Sequence, residues 1–393
     1  MGTISPAGEH EMVAAARALG PAIREASDEI ESTRRLPEVL TDKLTAADIF
    51  QMYLPASVGG AQVDPLVAFA VCEELTRHDG SLGWCVQVAA STSTSVSWID
   101  PVGLEEMASG SDKIHTAGSA RPLGEAMPVE GGFVVSGHWN YASGVLHANW
   151  FLATSFVEPP GSTPRKTRPF LVPVSSGQIV ENWDVIGMRG TGSNDFVLDE
   201  VFVPDTRVGY LRFIRARTEM LYDDRLAMSA AWAPIAGVAV GLARGAIDSV
   251  VKLGGSGSTN SPAPLRDRTS VQDALARAEA ITRSARAFVV ESLEQLWESL
   301  RTDSRLDIAV ADANLAITHA MNEAVTAVDI VFHAAGTNAI SSANRVERFL
   351  RDTHTAVQHA AGQRIHQRAA GRALLGLDPV PASVMGTVPA PGR

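Results

Sequence analysis

Hydrophobic positions change their spacing twice along the chain, which predicts helices, then strands, then helices. Up to about residue 120 the apolar positions mostly follow a helical spacing, and the segment 64–77 begins with a capping Asp64 followed by Pro65. Between residues 131 and 204, short runs rich in Val, Phe, Leu and Trp alternate with Gly, Pro and Ser clusters. From about residue 223 the helical spacing returns, and residues 271–300 predict one long amphipathic helix.

These elements indicate an α+β multidomain protein with three segments: a helical domain over residues 1–115, a strand domain over 116–220 and a helical domain over 221–393. Short strands at regular intervals are typical of an antiparallel barrel or sandwich, and long amphipathic helices usually pack in bundles. The hydroxyl-rich run STSTSVS at 91–97 either packs closely against another helix or lines a cavity, and close packing is the expectation.

Charge and cysteine content narrow the functional class. The chain has 393 residues, with 33 Lys plus Arg against 44 Asp plus Glu, so its net charge is −11. An acidic surface repels phosphate backbones, and we therefore expect no nucleic-acid partner. The two cysteines, Cys72 and Cys85, have no metal-binding spacing and fit a reducing compartment.

Neither an export signal nor a membrane span is expected, which predicts a cytoplasmic protein. The first twenty residues include Glu9, His10 and Glu11, where an export signal needs a basic start and an apolar core. The most apolar stretch, 227–243, is rich in Ala and Gly and contains Pro234, so we interpret it as a buried bundle helix.

Common catalytic motifs are absent from the sequence: there is no phosphate-binding P-loop, GxGxxG, HExxH, GxSxG or cysteine metal cluster. What remains is a group of aromatic and small polar residues in the strand region and a His-rich C-terminal helix. Aromatic residues in strands are core residues more often than cofactor contacts, so both roles stay open. The two groups comprise His138, Trp139, Tyr141, Ser143 and Trp183, and His354, His359 and His366.

Four phrases, in the correct order, resemble the acyl-CoA dehydrogenase superfamily along nearly the whole chain. The resemblance implies an N-terminal helical domain, a central antiparallel β-barrel, a C-terminal four-helix bundle and a homotetramer. The phrases are YLPASVGGAQVDPLVAFAVCEELTRHDGSLGW (53–84), GGFVVSGHWNYASG (131–144), WDVIGMRGTGSNDFVLDEVFVP (183–204) and AAGTNAISSANRVERFLRDTHTAVQH (334–359).

The chain departs from the dehydrogenases at the catalytic base. Those enzymes abstract a proton with a carboxylate about two turns after the RD pair of the last phrase, whereas residues 356–362 here contain none. An FAD-dependent acyl-CoA dehydrogenase is thus the alternative function. The same stretch resembles the branch of two-component flavin-dependent monooxygenases, with SG in place of the dehydrogenases' TN and a His in the C-terminal window.

That resemblance implies an oxidoreductase that receives reduced FMN, or FAD, from a separate NAD(P)H:flavin reductase. Oxygen adds to the flavin C4a position, and the resulting hydroperoxide hydroxylates or otherwise oxygenates a small aromatic, heteroaromatic or amine substrate. No metal is implied. Other hydroxylases of this branch carry a His near residues 91–97; since none is present here, we expect a substrate that needs no such base, such as an amine, a sulfide or an electron-rich heteroaromatic.

The resemblance also assigns flavin-binding residues. Ser143 matches the position whose hydroxyl faces flavin N5, which gives it a catalytic as well as a binding role. Tyr141 and Trp183 match aromatic residues near the flavin ring, and Ser119 falls where a strand approaches flavin and substrate. Arg268, preceded by Arg266, matches a phosphate-binding arginine.

His359 is the main catalytic candidate, because an imidazole that titrates near neutrality can give or accept a proton. His354 ranks second. It lies five residues earlier, an offset of about 140° around a helix, so both rings cannot easily face one pocket. His366 is expected to be solvated.

Overall fold

The computed structural model describes residues 10–110, 112–162, 165–216, 218–257 and 263–377. Its N-terminal part is helical, as predicted. Aspartates start three of these helices: the side chains of Asp64, Asp79 and Asp100 accept hydrogen bonds from backbone N–H groups in the first turn. The helices are α1 (Glu11–Thr33), α2 (Glu38–Ala46), α3 (Pro65–Thr76), α4 (Gly80–Ser93) and α5 (Pro101–Ala108).

A six-stranded sheet follows, formed by β1 (Thr116–Val129), β2 (Gly132–Trp139), β3 (Trp150–Phe156), β4 (Thr167–Pro173), β5 (Gln178–Val180) and β6 (Asp195–Pro204). Its strand order is β4-β3-β1-β2-β6-β5. The prediction of a closed antiparallel barrel is wrong, because β1 and β3 pair in parallel and the edge strands β4 and β5 do not pair with each other. The loop 140–149 carries the chain from β2 to the far side of β1, a crossing that side-chain alternation does not encode.

A short helix α6 (Leu211–Arg215) follows the sheet and packs on the turn Thr94–Trp98. The C-terminal part is a helical bundle made of α7 (Ala227–Lys252), α8 (Thr269–Thr302), α9 (Leu306–Ala335), α10 (Val346–Ala356) and α11 (Ile365–Leu374). The long amphipathic helix predicted for 271–300 is confirmed as α8. Among the described residues, two segments are long and apolar enough to span a membrane by length and composition alone, and 94% of the window in Ser229–Gly255 is buried inside the protein. That burial is typical of the core helix predicted for 227–243.

The N-terminal helices and the bundle share one hydrophobic core, while the inner face of the sheet has a core of its own. Helix α3 lies so close to α7 that a side chain at Gly237 would place its Cβ 2.2 Å from the carbonyl oxygen of Phe69. Helix α4 packs against α7 on one side and β1 on the other. The N-terminal helices, the sheet and the C-terminal bundle therefore meet at α4. The predicted domain limits remain a prediction, and residues 1–9 and 378–393 lie outside the described residues.

Candidate active site

A cavity of about 280 Å³ lies between α4, the sheet, α7 and the end of α10. Five hydroxyl residues of the run 91–97 line it: Ser91, Thr92, Thr94, Ser95 and Ser97. The expected close packing is therefore wrong for most of this run. Ser93 and Val96 do not line the cavity and are fully buried, whereas Ser97 is fully buried and still lines it. Helix α4 ends at Ser93 and a 3₁₀ turn follows, which spreads the remaining hydroxyls along one wall.

The hydroxyls on this wall donate their protons to backbone carbonyls. Ser91 donates to the Ala231 carbonyl over 2.6 Å, Thr92 to Val88 over 2.7 Å and Thr94 to Ser91 over 2.7 Å. A hydroxyl whose proton is used in this way keeps lone pairs for other donors. This wall consequently offers hydrogen-bond acceptors to the cavity. The cavity also has an apolar lining, with Trp98, Leu152, Ile214, Leu221, Trp232 and Ile235.

His359 lines the same cavity. It caps the turn Ala360–Gly362, and its Nδ1 accepts the backbone N–H of Ala361 over 3.2 Å, so the hydrogen-bond pattern assigns the ring proton to Nε2. Burial, and secondarily the nearby His366, lowers the pKa of His359 to about 4. The expectation that this imidazole titrates near neutrality is wrong, and at pH 7 it is a neutral donor.

Asp223 is the carboxylate among the described residues that line the cavity. Arg225 binds both of its oxygens, with Nε 2.9 Å from Oδ1 and Nη2 2.8 Å from Oδ2. This hydrogen bonding lowers the pKa of Asp223. The carboxylate is thus already paired and is a weak base.

Ser143, Tyr141 and Trp183 come together beside the cavity. The backbone N–H groups of Ala142 and Gly144 donate to the carbonyls of Asn194 and Thr191, each over 3.0 Å, which joins the loop after β2 to the loop before β6. The rings of Tyr141 and Trp183 meet edge to face at 6.1 Å. Tyr141 is 60% exposed and has a φ of 61°, an unusual backbone conformation for a bulky residue.

Ser143 belongs to a buried chain of hydroxyls. Its Oγ lies 2.6 Å from Ser193 Oγ, which lies 2.6 Å from Thr191 Oγ1, and Thr191 donates to the Met188 carbonyl over 2.8 Å. Sequence reasoning gave Thr191 and Ser193 no role, although both stand in the GTGSND part of a phrase that carried the family resemblance.

Trp84 connects this chain to the cavity. Its indole N–H donates to Ser143 Oγ over 3.2 Å, and its ring meets the His359 ring edge to face at 5.6 Å. Trp232 meets His359 from another side at 6.2 Å. The two leading candidates, Ser143 and His359, are therefore separated by a single indole.

Two other predicted site residues lie away from the cavity. Gly118 and Ala120 line it, so Ser119, between them on β1, points to the other face of the sheet, where its Oγ accepts the Arg121 N–H. His354 forms an ion pair with Asp329 at 2.9 Å and its side chain is 42% exposed. The flavin-binding role of Ser119 and the catalytic role of His354 stay predictions, and neither side chain lines the cavity.

The other residues named from the sequence, Arg266, Arg268 and His366, contact parts of the protein itself. Arg268 donates from Nε and Nη2 to the Ala263 carbonyl in the loop before α8, and Arg266 lies exposed beside Asp267. His366 is not solvated: it is 6% exposed and packs on Trp232 with ring centres 5.0 Å apart. In the described part of the chain, no cluster of three or more His, Cys, Asp or Glu side chains suits a metal ion.

Comparison with known proteins agrees with this geometry. The family "Acyl-CoA dehydrogenase, N-terminal domain" matches residues 9–108, and "Acyl-CoA dehydrogenase, C-terminal domain" matches residues 233–364, so the two cover more than half of the chain. The chain is 29% identical to the indole-3-acetate monooxygenase of Pseudomonas putida over 94% of its own length and 97% of the relative's.

Two further similarities concern a monooxygenase subunit and a hydroxylase of known structure. The chain is 27% identical to HsaA of Mycobacterium tuberculosis, the oxygenase subunit of a flavin-dependent monooxygenase, covering 92% of this chain and 94% of that one. The crystal structure of 3-HSA hydroxylase from Rhodococcus sp. RHA1 superposes with a TM-score of 0.85 at 25% identity and covers 94% of this chain and 98% of its own. The chain belongs to the acyl-CoA dehydrogenase superfamily, in its branch of flavin-dependent monooxygenases.

Proposed function

We propose that this monooxygenase oxygenates a small, neutral aromatic or heteroaromatic molecule that carries an N–H or O–H donor. The observation that carries the proposal is the cavity itself, which is lined by hydroxyl acceptors, by apolar and aromatic side chains, and by a neutral His359. We further propose that a separate NAD(P)H:flavin reductase supplies reduced flavin, since the HsaA relative is named as an oxygenase subunit.

The residues around Ser143 fit a flavin ring. Tyr141 and Trp183 present aromatic surface next to a hydroxyl oxygen, and Gly144, with a φ of 77°, turns the backbone sharply at this point. Rings of this kind pack on flat apolar groups, and a buried hydroxyl can bond a ring nitrogen. We propose that Ser143 faces N5 while Tyr141 and Trp183 contact the ring.

When bound, the reduced flavin supplies the two electrons that activate O₂, so that one oxygen atom enters the product and the other leaves as water. The protein's own contribution is placement and exclusion of water. His359 holds a proton on Nε2 at the cavity surface and donates a hydrogen bond there without changing its charge at pH 7. Trp84 and Trp232 flank its ring edge to face.

The charge of the cavity favours neutral substrates. Asp223 is neutralised by Arg225, and His359 carries no charge. An anionic group placed here would face hydroxyl lone pairs without a free cation among the described lining residues. A substrate N–H or O–H instead finds acceptors at Ser91, Thr92 and Thr94.

An acyl-CoA dehydrogenase is not favoured. Such an enzyme needs an unpaired carboxylate beside the substrate to abstract an α proton. Residues 356–362 supply none, and Asp223 is held by a guanidinium that lowers its pKa. An anaerobic addition of acyl-CoA to the protein with oxidised FAD should therefore leave the flavin spectrum unchanged.

The substrate proposal is tested with a matched pair of compounds, indole and indole-3-acetate, which share a ring and differ by an acidic side chain. With reduced flavin regenerated by a reductase, indole should be oxygenated with a kcat/KM at least about tenfold higher, corresponding to one unfavourably placed charge. Faster turnover of the acid would overturn the neutral class. Turnover of neither indole nor a simple phenol under these conditions would overturn the proposed substrate class as a whole.

The flavin type and the assembly are part of the same proposal. We propose reduced FMN as the preferred flavin, a homotetramer as in the superfamily, and a cytoplasmic location in keeping with the two thiols, both of which are buried and free. Fluorescence titration with each reduced flavin and light scattering of the purified protein test the first two. Tighter binding of reduced FAD would replace FMN.

A further inference from the structure

The hydroxyl chain that ends at Ser143 has a direction, which follows from counting protons. A hydroxyl has one proton to donate and two lone pairs. Thr191 gives its proton to the Met188 carbonyl, so toward Ser193 it is an acceptor. Ser193 must then donate to Thr191, and it in turn accepts from Ser143.

The far end of the chain is fixed. The Met188 carbonyl also accepts the indole N–H of Trp183 over 3.0 Å, and the Met188 N–H donates to Asp352 Oδ1 over 2.5 Å. Asp352 lies on α10, so the bundle holds this loop in place. Ser143, Thr191 and Ser193 are 6%, 2% and 4% exposed, which leaves little room for water to take over these bonds.

Ser143 is therefore an acceptor toward any ligand. Its proton is given to Ser193, and one of its lone pairs receives the Trp84 N–H over 3.2 Å. The second lone pair is available. A ligand that offers an N–H at this point gains a hydrogen bond, whereas a ligand that offers a lone pair meets another lone pair.

We propose that Ser193 and Thr191 are positioning residues that make this site select reduced over oxidised flavin by fixing Ser143 as an acceptor. The inference rests on the proposed function, in which Ser143 faces flavin N5. Reduced flavin carries a proton on N5 and can donate to Ser143, while oxidised flavin has a lone pair there. Reversing the whole chain to serve oxidised flavin would remove the hydroxyl bond from Thr191, one of the three hydrogen bonds at the Met188 carbonyl.

The test compares dissociation constants for oxidised and reduced flavin, the latter measured anaerobically, in the unchanged protein and in variants. Ser193→Ala frees the Ser143 proton to bond oxidised N5, so the ratio of the oxidised to the reduced constant should fall roughly threefold to tenfold, the worth of one hydrogen bond. Thr191→Val should lower the ratio in the same direction by less, because Ser193 can still accept from Ser143. Ser193→Thr keeps the hydroxyl and should restore the ratio.

The midpoint potential of the bound flavin gives a second readout that does not depend on turnover. A tenfold fall in the ratio lowers the potential of a two-electron couple by about 30 mV. Thr282→Val removes a buried hydroxyl that donates to the Ala278 carbonyl within α8, and it serves as the control with an unchanged ratio.

The outcomes separate this inference from the proposed function. If both flavin states bind and the ratio is the same in Ser193→Ala, Thr191→Val and the unchanged protein, the positioning role is wrong while the proposed function stands. If the unchanged protein binds flavin in neither state, the proposed function fails and this inference fails with it. Thr191→Val conserves side-chain volume, so it provides the decisive comparison if Ser193→Ala fails to fold.

Discussion

His359 makes the stability of the protein sensitive to acid, and the size of this effect follows from its surroundings. Burial lowers the pKa of His359 to about 4, whereas an exposed His in an unfolded chain has a pKa near 6.5. At a pH between these two pKa values, His359 is protonated in the unfolded chain and neutral in the folded protein. Stability is therefore complete above about pH 6.5 and is lost as the pH falls toward 4.

The difference in proton binding between the folded and unfolded states gives the size of the change in unfolding free energy. With pKa values of about 4 folded and about 6.5 unfolded, lowering the pH from 7 to 5 should cost about 2 kcal/mol of unfolding free energy through this one ring. His359→Gln replaces the imidazole with an amide that donates and accepts hydrogen bonds but does not titrate. The variant should thus lose about 2 kcal/mol less than the unchanged protein over the same pH range.

Urea unfolding at pH 7 and pH 5, at one protein concentration, measures this difference. His147→Gln is a matched comparison, because burial also lowers the pKa of His147 to about 4, and it should reduce the acid sensitivity by a similar amount. An identical pH dependence in His359→Gln and the unchanged protein would refute the reasoning, since it would show that the folded protein accepts a proton on His359 as readily as the unfolded chain does.

Three further predictions concern the site. His359→Ala should lower the coupling, which is the fraction of reduced flavin that yields oxygenated product, and raise hydrogen peroxide correspondingly, with flavin affinity within about twofold. His354→Ala, a change at a half-exposed residue, should leave the coupling unchanged. Equal coupling in the two variants and the unchanged protein would remove His359 from the site. Tyr141→Ala should weaken flavin binding roughly tenfold yet leave the urea unfolding midpoint unchanged, because the ring is 60% exposed. Flavin titration measures the affinity, and urea unfolding measures the midpoint. An unchanged affinity would contradict the contact between Tyr141 and the flavin ring. Burial raises the pKa of Asp352 to about 7, so the charged carboxylate lowers the stability of the protein as the pH rises from about 4 through 7. Asp352→Asn should therefore raise the urea midpoint at pH 8 more than at pH 5. A larger rise at pH 5 would contradict the burial of a charge at this position.

Local patterns in the sequence were enough to predict the helices and the strands, but not how the strands pair. The spacing of apolar residues predicted α8 because each of its buried positions lies on one stripe. The direction of β3 depends on the loop 140–149, which crosses from one side of β1 to the other. Alternation in β3 would look the same in a parallel or an antiparallel pair, so the closed barrel was a wrong prediction.

In the site, too, some residues could be predicted from local sequence, whereas the direction in which others point could not. Tyr141, Ser143 and Trp183 could be named in advance because they lie in phrases shared with the superfamily. The side on which Ser119 points depends on the register of β1, which shifts between Ser119 and Gly124.

The charge state of His359 depends on Trp84 and Trp232, which are far away in the sequence and bury the ring only after folding. No local pattern contains that information.

The most direct measurement of the central claim is the source of the oxygen in the product. Purified protein is mixed with reduced FMN or FAD, ¹⁸O₂ and indole, and the product and hydrogen peroxide are quantified together. We expect one ¹⁸O atom per product molecule, product formation that depends on reduced flavin, and a larger share of peroxide in His359→Ala. Product formed without O₂, or labelled from water, would contradict a monooxygenase acting at this site.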